Sequence, residues 1–371
     1  VTVRLPFRNL EPTFFAGLLD DPLLLVRVRP AGSNLLFDCG QLHHLAKRVL
    51  TALDALFISH THMDHWMGID SVIRHLHASP KIIDLFGPPG LSDKLQHKLA
   101  GYDWNLAEDH WGTFRVQEIF PDRIVCSRFS GPAGFHREPL AARARADRVI
   151  YSTPHLQVAV DLCEHRVPSL IFRIDEQPTF LIDTERLRQL ELVPGPWLGR
   201  LKRRFFHGAD NRGELKALKR VQGEIREISI PDPDELTRQL QLPQQQASIG
   251  YISDIGFTEE NRSKILALMG GVNLLLCECT FLRAAEEKAR SSYHLCSADI
   301  NQLLAELRPD YFLPMHLSKT YSRRTAELYR ELAPPAGTTL LQVPPQITPR
   351  PLQAREISWQ PYPQSFDPEN G

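Results

Sequence analysis

The segment Ile58-Ser59-His60-Thr61-His62-Met63-Asp64-His65-Trp66-Met67-Gly68 constrains this chain more than any other. Three imidazoles and one carboxylate fall within the six positions from His60 to His65. Upstream, Leu53 to Ile58 is a short apolar run of strand type; downstream, Gly68 to His75 reads as the start of a helix. The cluster is therefore predicted on a strand-to-helix turn, where side chains can converge on an ion. Imidazole nitrogen and carboxylate oxygen suit zinc, and also manganese or iron. The ligand count is too high for one tetrahedral ion. His60 and His62 could face one metal while Asp64 and His65 face a second, and two adjacent metals make a hydrolytic site. A surface loop that happens to hold histidines is the plain alternative, and the density of the motif argues against it.

The rest of the chain supplies more candidates, each at the end of a strand-like run. Leu23 to Val28 and Asn34 to Gly40 read as strands around a turn, and Gln41 to Leu53 has helical spacing. Ile82 to Phe86 is a buried strand stopped by Gly87-Pro88-Pro89-Gly90, with an amphipathic helix from Ser92. Strand and helix are expected to alternate up to about residue 185, which predicts an α/β fold with sheets covered by helices. His165 lies at a break between Leu156–Leu162 and Ser169–Ile174, as a third imidazole for the first metal would. His136 and His155 have no such context and read as structural or surface residues. Asp254 ends the strand from Ser248, where one carboxylate could bridge two cations. Glu278 ends another strand, His294 follows before a helix, and His316 ends the strand from Asp310.

Composition narrows the function classes. Hydrophobic residues make up 42% of the 371, ample for a packed core, and a formal net charge of −1 gives no global reason to bind nucleic acid or membrane. The 6 cysteines lack the spacing of a disulfide framework, and Cys277-Glu278-Cys279 is not a zinc-knuckle pair, so free thiols in a reducing, cytoplasmic setting are expected. No apolar run approaches the ~20 residues of a membrane span. No signal-peptide pattern opens the chain, which starts at Val1, and a few N-terminal residues are expected to be missing. One large domain over 1–371 is expected, with two departures. Residues 186–236 combine Pro194-Gly195-Pro196-Trp197 with a basic run, Arg200, Lys202, Arg203 and Arg204, and more positive charge beyond. Such a projection could grip a polyanion, although a solvated helical hairpin of mixed charge is the plainer reading of the composition. Residues 343–371, rich in Pro and Gln, read as an extended tail.

The series His60-x-His62-x-Asp64-His65, His165, Asp254, His316 resembles the metallo-β-lactamase superfamily of two-metal hydrolases, and further stretches are similar to its ribonuclease Z branch, the transfer-RNA 3′-processing endonucleases. These are Phe86 to Leu91, Glu164 to Ser169, the arm segment Pro194 to Lys202, Glu278 to Phe281 with His294, and Met315 to Tyr321. The resemblance spans roughly residues 35–325. Residues 1–20 lack the family's Gly/Ser/Thr-rich opening. Gln41 to His44 stand where the family has Glu-Gly-Thr-Gln, Ser253-Asp254-Ile255 where it has Gly-Asp-Thr, and Leu295-Cys296 follow the later histidine in place of Thr.

The resemblance implies a four-layer αβ/βα fold, two packed mixed sheets flanked by helices, with the 186–236 arm as an RNA exosite. It implies two Zn²⁺ per chain, with Mn²⁺ or iron as alternatives. His60, His62 and His165 would hold the first, Asp64, His65 and His316 the second, and Asp254 both. A water acidified by the metals would attack phosphorus with Asp64 orienting it. His294 would protonate the departing 3′ oxygen or bond to the phosphoryl oxygen, and Glu278 would either orient His294 or serve only as a structural strand-end residue. The substrate would be a precursor transfer RNA, met by a homodimer whose arm serves the partner. A hydrolase for a small phosphodiester or other small ester, and a catalytically weak RNA-binding protein relying on the arm alone, are the rival readings.

Overall fold

The computed structural model describes residues 5–178, 180–207, 214–242 and 246–347. An eight-stranded sheet runs in sequence order: β1 (Leu10–Phe14), β2 (Leu24–Val28), β3 (Ser33–Phe37), β4 (Leu53–Phe57), β5 (Ile82–Gly87), β6 (Thr113–Ile119), β7 (Arg123–Ser130) and β8 (Arg137–Ala144). β3 to β6 are parallel and the flanks antiparallel. The chain then crosses to a second sheet through β9 (Val149–Ser152), β10 (Leu156–Glu164) and β11 (Pro168–Glu176). A separate small sheet follows, made of β12 (Leu192–Val193), β13 (Leu215–Val221) and β14 (Glu224–Ile230). β15 (Ser248–Ile252), β16 (Leu274–Glu278), β17 (Tyr311–Met315) and β18 (Thr339–Leu340) complete the second sheet, in the order β18-β17-β16-β15-β11-β10-β9.

The strands alternate faces, and this sets the layers. Leu35, Phe37, Ala55, Phe57 and Phe86 point inward against Val158, Phe172, Ile249, Tyr251 and Leu274 of the other sheet. Phe37, Phe57 and Phe86 stack in series, with ring centroids 4.7 and 4.9 Å apart. Each such buried ring contributes about 1.5–3 kcal/mol. The opposite faces, Leu36, Leu56 and Leu85 in one sheet and Ile171, Leu275 and Phe312 in the other, pack under helices. Ile69–Leu76 and Leu91–Leu99 cover the first sheet; Glu259–Met269 and Ser297–Leu307 cover the second. This is the αβ/βα arrangement that the resemblance implies.

Three expectations need correction. The helix expected over Gln41 to Leu53 is confined to Lys47–Thr51. Cys39 is committed to the neighbouring turn, its N–H to the His65 carbonyl and its own carbonyl to the Gly68 N–H, so the chain leaves it through tight turns. Alternation of strand and helix up to residue 185 stops after Leu91–Leu99: β6 to β11 follow one another with only a 3₁₀ turn at Gly131–Ala133 among them. The plainer reading of residues 186–236 as a helical hairpin is replaced by the β13–β14 hairpin with helices Thr184–Gln189, Pro196–His207 and Pro233–Leu240 around it. These elements share their own core, which includes Phe180, Leu187, Leu201, Leu215 and Leu240. The lobe they form leaves from β11 and returns into β15, which are paired neighbours with Asp175 opposite Ser248. Of the expected tail only residues 343–347 are described; the rest lies outside the described residues.

Candidate active site

All the candidate side chains except His165 and His294 lie at or just past the C-terminal ends of parallel strands. β4 delivers His60, His62, Asp64 and His65, β15 delivers Asp254, β16 delivers Glu278, and β17 delivers His316. His165 comes from the β10–β11 hairpin. His294 follows the helix Glu286–Ser292. The His60–Gly68 turn is locked against the end of β3. A side chain on Gly40 would run into the Asp64 carbonyl, and one on Gly68 into the carbonyls of Cys39 and Gly40. Four non-glycine residues at the site have left-handed backbones: Asp38 (φ 55°), Arg166 (φ 55°), Tyr293 (φ 58°) and His316 (φ 60°). Such conformations cost on the order of 1–3 kcal/mol each and persist only where the surroundings impose them.

Two donor groups result. Ligand atoms of His60, His62, His165 and Asp254 lie within 4.8 Å of one another, as do those of Asp64, His65 and His316. Asp254 stands between them. Its Oδ2 is 3.8 Å from His60 Nε2, 3.7 Å from His165 Nε2 and 3.3 Å from His65 Nε2, while His316 Nε2 is 3.1 Å from Oδ1. His316 Nε2 is also 3.4 Å from Asp64. A third group, Asp254, Glu278 and His294, adjoins them.

The far sides of the rings are tethered. His65 Nδ1–H donates to Asp38 at 3.0 Å, and His165 Nδ1–H donates to the Tyr293 carbonyl at 2.5 Å. His60 Nδ1 meets Ser59 Oγ at 3.1 Å, and that hydroxyl donates to Asp38 at 2.8 Å. Nε2 of each ring is thus the nitrogen turned to the site, the pattern of histidines held for a metal. Asp38 also accepts from the Ser59 N–H and the Tyr251 hydroxyl. Reading the sequence passed over Asp38, Ser59 and Tyr251. Asp38 falls inside the strand-like run Asn34 to Gly40, and nothing in its spacing links it to His65, 27 positions on.

The electrostatics fit a cation. Burial, then the charge of His65, holds His60 far below the ordinary histidine value, and burial lowers His165. Both are neutral donors. Burial pulls His65 down as well, but Asp254 and Asp38 outweigh it, so in the metal-free protein it keeps a proton that an ion would replace. Burial would raise Asp254, yet His316 and His65 hold it well below the carboxylate range. His65 Nε2 and Asp254 Oδ1 are buried with no hydrogen-bond partner. Two buried atoms without hydrogen-bond partners, each able to present a lone pair at the centre of a donor cluster, are what a bound metal would satisfy.

Glu278 is fully buried. It accepts from the Ile255 N–H at 3.0 Å and from the Thr280 hydroxyl at 2.5 Å, and lies 3.2 Å from His294 Nδ1. His294 is pulled down by burial but carried up to about 9 by Glu278 and then Asp254. With Nδ1 so engaged, Nε2 is left for a substrate. A cavity of about 460 Å³ opens over this floor, lined by His62, Asp64, Asp254, Thr280, His294 and His316 among others.

None of the arm residues lines this cavity. Trp197 is not a surface grip: it is 2% exposed in the lobe's core, its indole N–H donating to the Val193 carbonyl. The Pro196–His207 helix is amphipathic, and Trp197, with Leu201 four residues on, falls on its inner face. Arg200, Lys202 and Arg203 lie on its exposed side, whereas Arg204 pairs with Asp234 at 2.9 Å.

Fold and site together define a metallohydrolase of the metallo-β-lactamase type. No protein-family model matches the chain. Ribonuclease Z of Deinococcus radiodurans is 30% identical over 292 residues, 78% of this chain and 83% of that protein. Ribonuclease Z of a Synechococcus species is 28% identical over 314 residues, 82% of this chain and 81% of that one. Among solved structures, the short form of human tRNase Z (14% identity, 90% of this chain, 96% of that chain) has a TM-score of 0.46. A metallo-β-lactamase fold protein of Bacillus subtilis (13% identity, 88% and 94%) has a TM-score of 0.48. The chain belongs to the ribonuclease Z family.

Proposed function

We propose that this protein is a metal-dependent endoribonuclease that removes the 3′ trailer from precursor transfer RNA. Membership of the ribonuclease Z family carries the substrate class. The observation that carries the chemistry is the shared donor cluster around Asp254 with His294 beside it. His60, His62 and His165 would hold one ion, Asp64, His65 and His316 the other, and Asp254 would contact both. Two Zn²⁺ suit the donor set best, with Mn²⁺ or iron as substitutes. Once bound, the ions acidify a water and neutralise charge on the phosphoryl oxygens.

The chain's own groups do the rest. Asp64 orients the attacking water. The water gives up a proton to Asp64 as its oxygen bonds to phosphorus and the bond to the 3′ oxygen breaks, and His294 gives its own proton to that leaving oxygen. Glu278 keeps the His294 ring turned to the cavity and favours its charged form. The lobe carrying Arg200, Lys202, Arg203 and Arg204 is an RNA-gripping arm, supported by its exposed basic helix; Trp197 holds that helix in place. We extend this reading to a cytoplasmic homodimer. The cytoplasmic part is supported by the six free cysteines, which a reducing compartment keeps as thiols; the homodimer rests on the family resemblance alone.

Incubating the purified protein with Zn²⁺ or Mn²⁺ and a precursor transfer RNA with a 3′ trailer, and mapping the products, tests the proposal. A single cut at the trailer junction is expected. Hydrolysis of small phosphodiesters with the precursor left intact would replace it with the small-substrate reading.

A further inference from the structure

The cavity over the donor cluster is lined largely by acidic and histidine side chains, yet its substrate is a polyanion. Asp20, Asp21, Asp64 and Asp254 all face it, and among the described lining residues Lys319 is the one Lys or Arg. Its ammonium lies 3.2 Å from Asp21 Oδ1. The two partners differ sharply in exposure: the Lys319 side chain is 71% exposed, Asp21 only 5%. An ion pair so open to solvent adds little to stability. An ammonium has three donors, and Asp21 occupies one.

The surroundings hold this lysine firmly at the mouth. Lys319 opens the turn Lys319–Tyr321, just past His316, and Ser318 N–H donates to the Thr280 carbonyl at 3.0 Å. The Asp21 loop is clamped on two sides. Leu317 N–H donates to Leu18 O, while Leu18 and Leu19 N–H donate to the carbonyls of Pro344 and Pro345. Asp20 Oδ2 accepts from the N–H groups of Gly17 and Ile347. The loops that carry the two partners are clamped, so the single Asp21 hydrogen bond biases the exposed ammonium toward the cavity mouth.

We infer that Lys319, steered by Asp21, binds a phosphate flanking the scissile one. The inference rests on the endoribonuclease reading above: a scissile phosphate at the donor cluster brings its neighbour along the chain to the cavity mouth, where Lys319 is the one Lys or Arg among the described lining residues.

The experiment is binding of precursor transfer RNA to the full chain freed of metal with EDTA, so that nothing is cut, measured by filter retention across a salt series. Lys319→Ala is expected to weaken binding several-fold and to lessen the slope of log K against log salt by about 0.7–0.9, one phosphate contact. Lys319→Arg should restore both. Methylphosphonate placed in turn at each phosphate flanking the scissile one should, at one of them, weaken wild type and leave K319A no weaker than it already was. An unchanged slope in K319A, or losses that simply add at both positions, would overturn the inference. Wild-type protein that neither binds nor cuts the precursor would instead overturn the functional reading on which it rests. Thermal melting of K319A at the wild-type temperature separates a lost contact from a damaged fold.

Discussion

His65 and Asp38 meet at 3.0 Å with neither side chain exposed to solvent. The same carboxylate reaches His60 through the Ser59 hydroxyl, so one group braces a histidine from each donor set. Replacing Asp38 with Ala should lower metal affinity about 10- to 100-fold. It would also leave the Ser59 and Tyr251 donors unsatisfied, at about 1–3 kcal/mol for each orphaned group. Competition against a chelator of known affinity measures the first, and chemical unfolding of the metal-free protein the second. Unchanged metal affinity would mean Asp38 is only a core hydrogen-bond acceptor.

Metal content should approach two equivalents per chain by elemental analysis. Asp254→Ala should reduce both, because its carboxylate lies between the two donor groups. Chelation should lower the melting temperature, since an ion that binds only the folded state stabilises by mass action. A reconstituted wild-type protein that takes up no metal would remove the basis for the mechanism.

His294→Ala should keep its metal and lose about 10²- to 10⁴-fold in turnover. The pH dependence has a definite sign. The folded value, about 9 without metal, lies above the ordinary histidine value. Its contribution to metal-free stability is therefore full below about pH 6.5 and is lost as pH rises through about 9. Nearby cations oppose protonation, so in the loaded enzyme the alkaline fall in activity should lie below pH 9. Glu278→Gln should move that limb further down, toward the ordinary value. If the limb stays put in E278Q, Glu278 does not set the state of His294.

Removing residues 180–242 and closing the gap with a Gly/Ser linker should leave a folded, metal-binding protein, since the lobe has its own core and departs and returns through paired strands. Hydrolysis of a chromogenic phosphodiester should survive, while binding of precursor transfer RNA should fall and lose much of its salt dependence. Equal loss on both substrates would show that the lobe supports the active site instead. Within the intact chain, Trp197→Ala should destabilise the lobe by about 3–5 kcal/mol. Arg203→Ala should change only binding. Hydrogen exchange localised to the lobe distinguishes the two.

Much of this molecule was written in local pattern. The strand before His60, the turn from His60 to Gly68 and the helix after it are neighbours in sequence, so spacing alone revealed a metal-type cluster there. His165, Asp254 and His316 were visible as polar residues ending apolar runs, and the ends of parallel strands gather at one edge of a packed sheet pair. Other features depend on contacts between distant segments, which no periodicity encodes. Asp38 becomes a brace because β3 and β4 lie side by side and Tyr251 reaches it from the other sheet. Trp197 turns inward because the β13–β14 hairpin, read as helical from composition, offers its helix an apolar face. Lys319 meets Asp21 across 298 positions only because the chain ends of the two sheets close over one site. Local propensity selected the elements and delivered the donors to their tips; burial of the two sheets against each other decided which polar side chains would face one another.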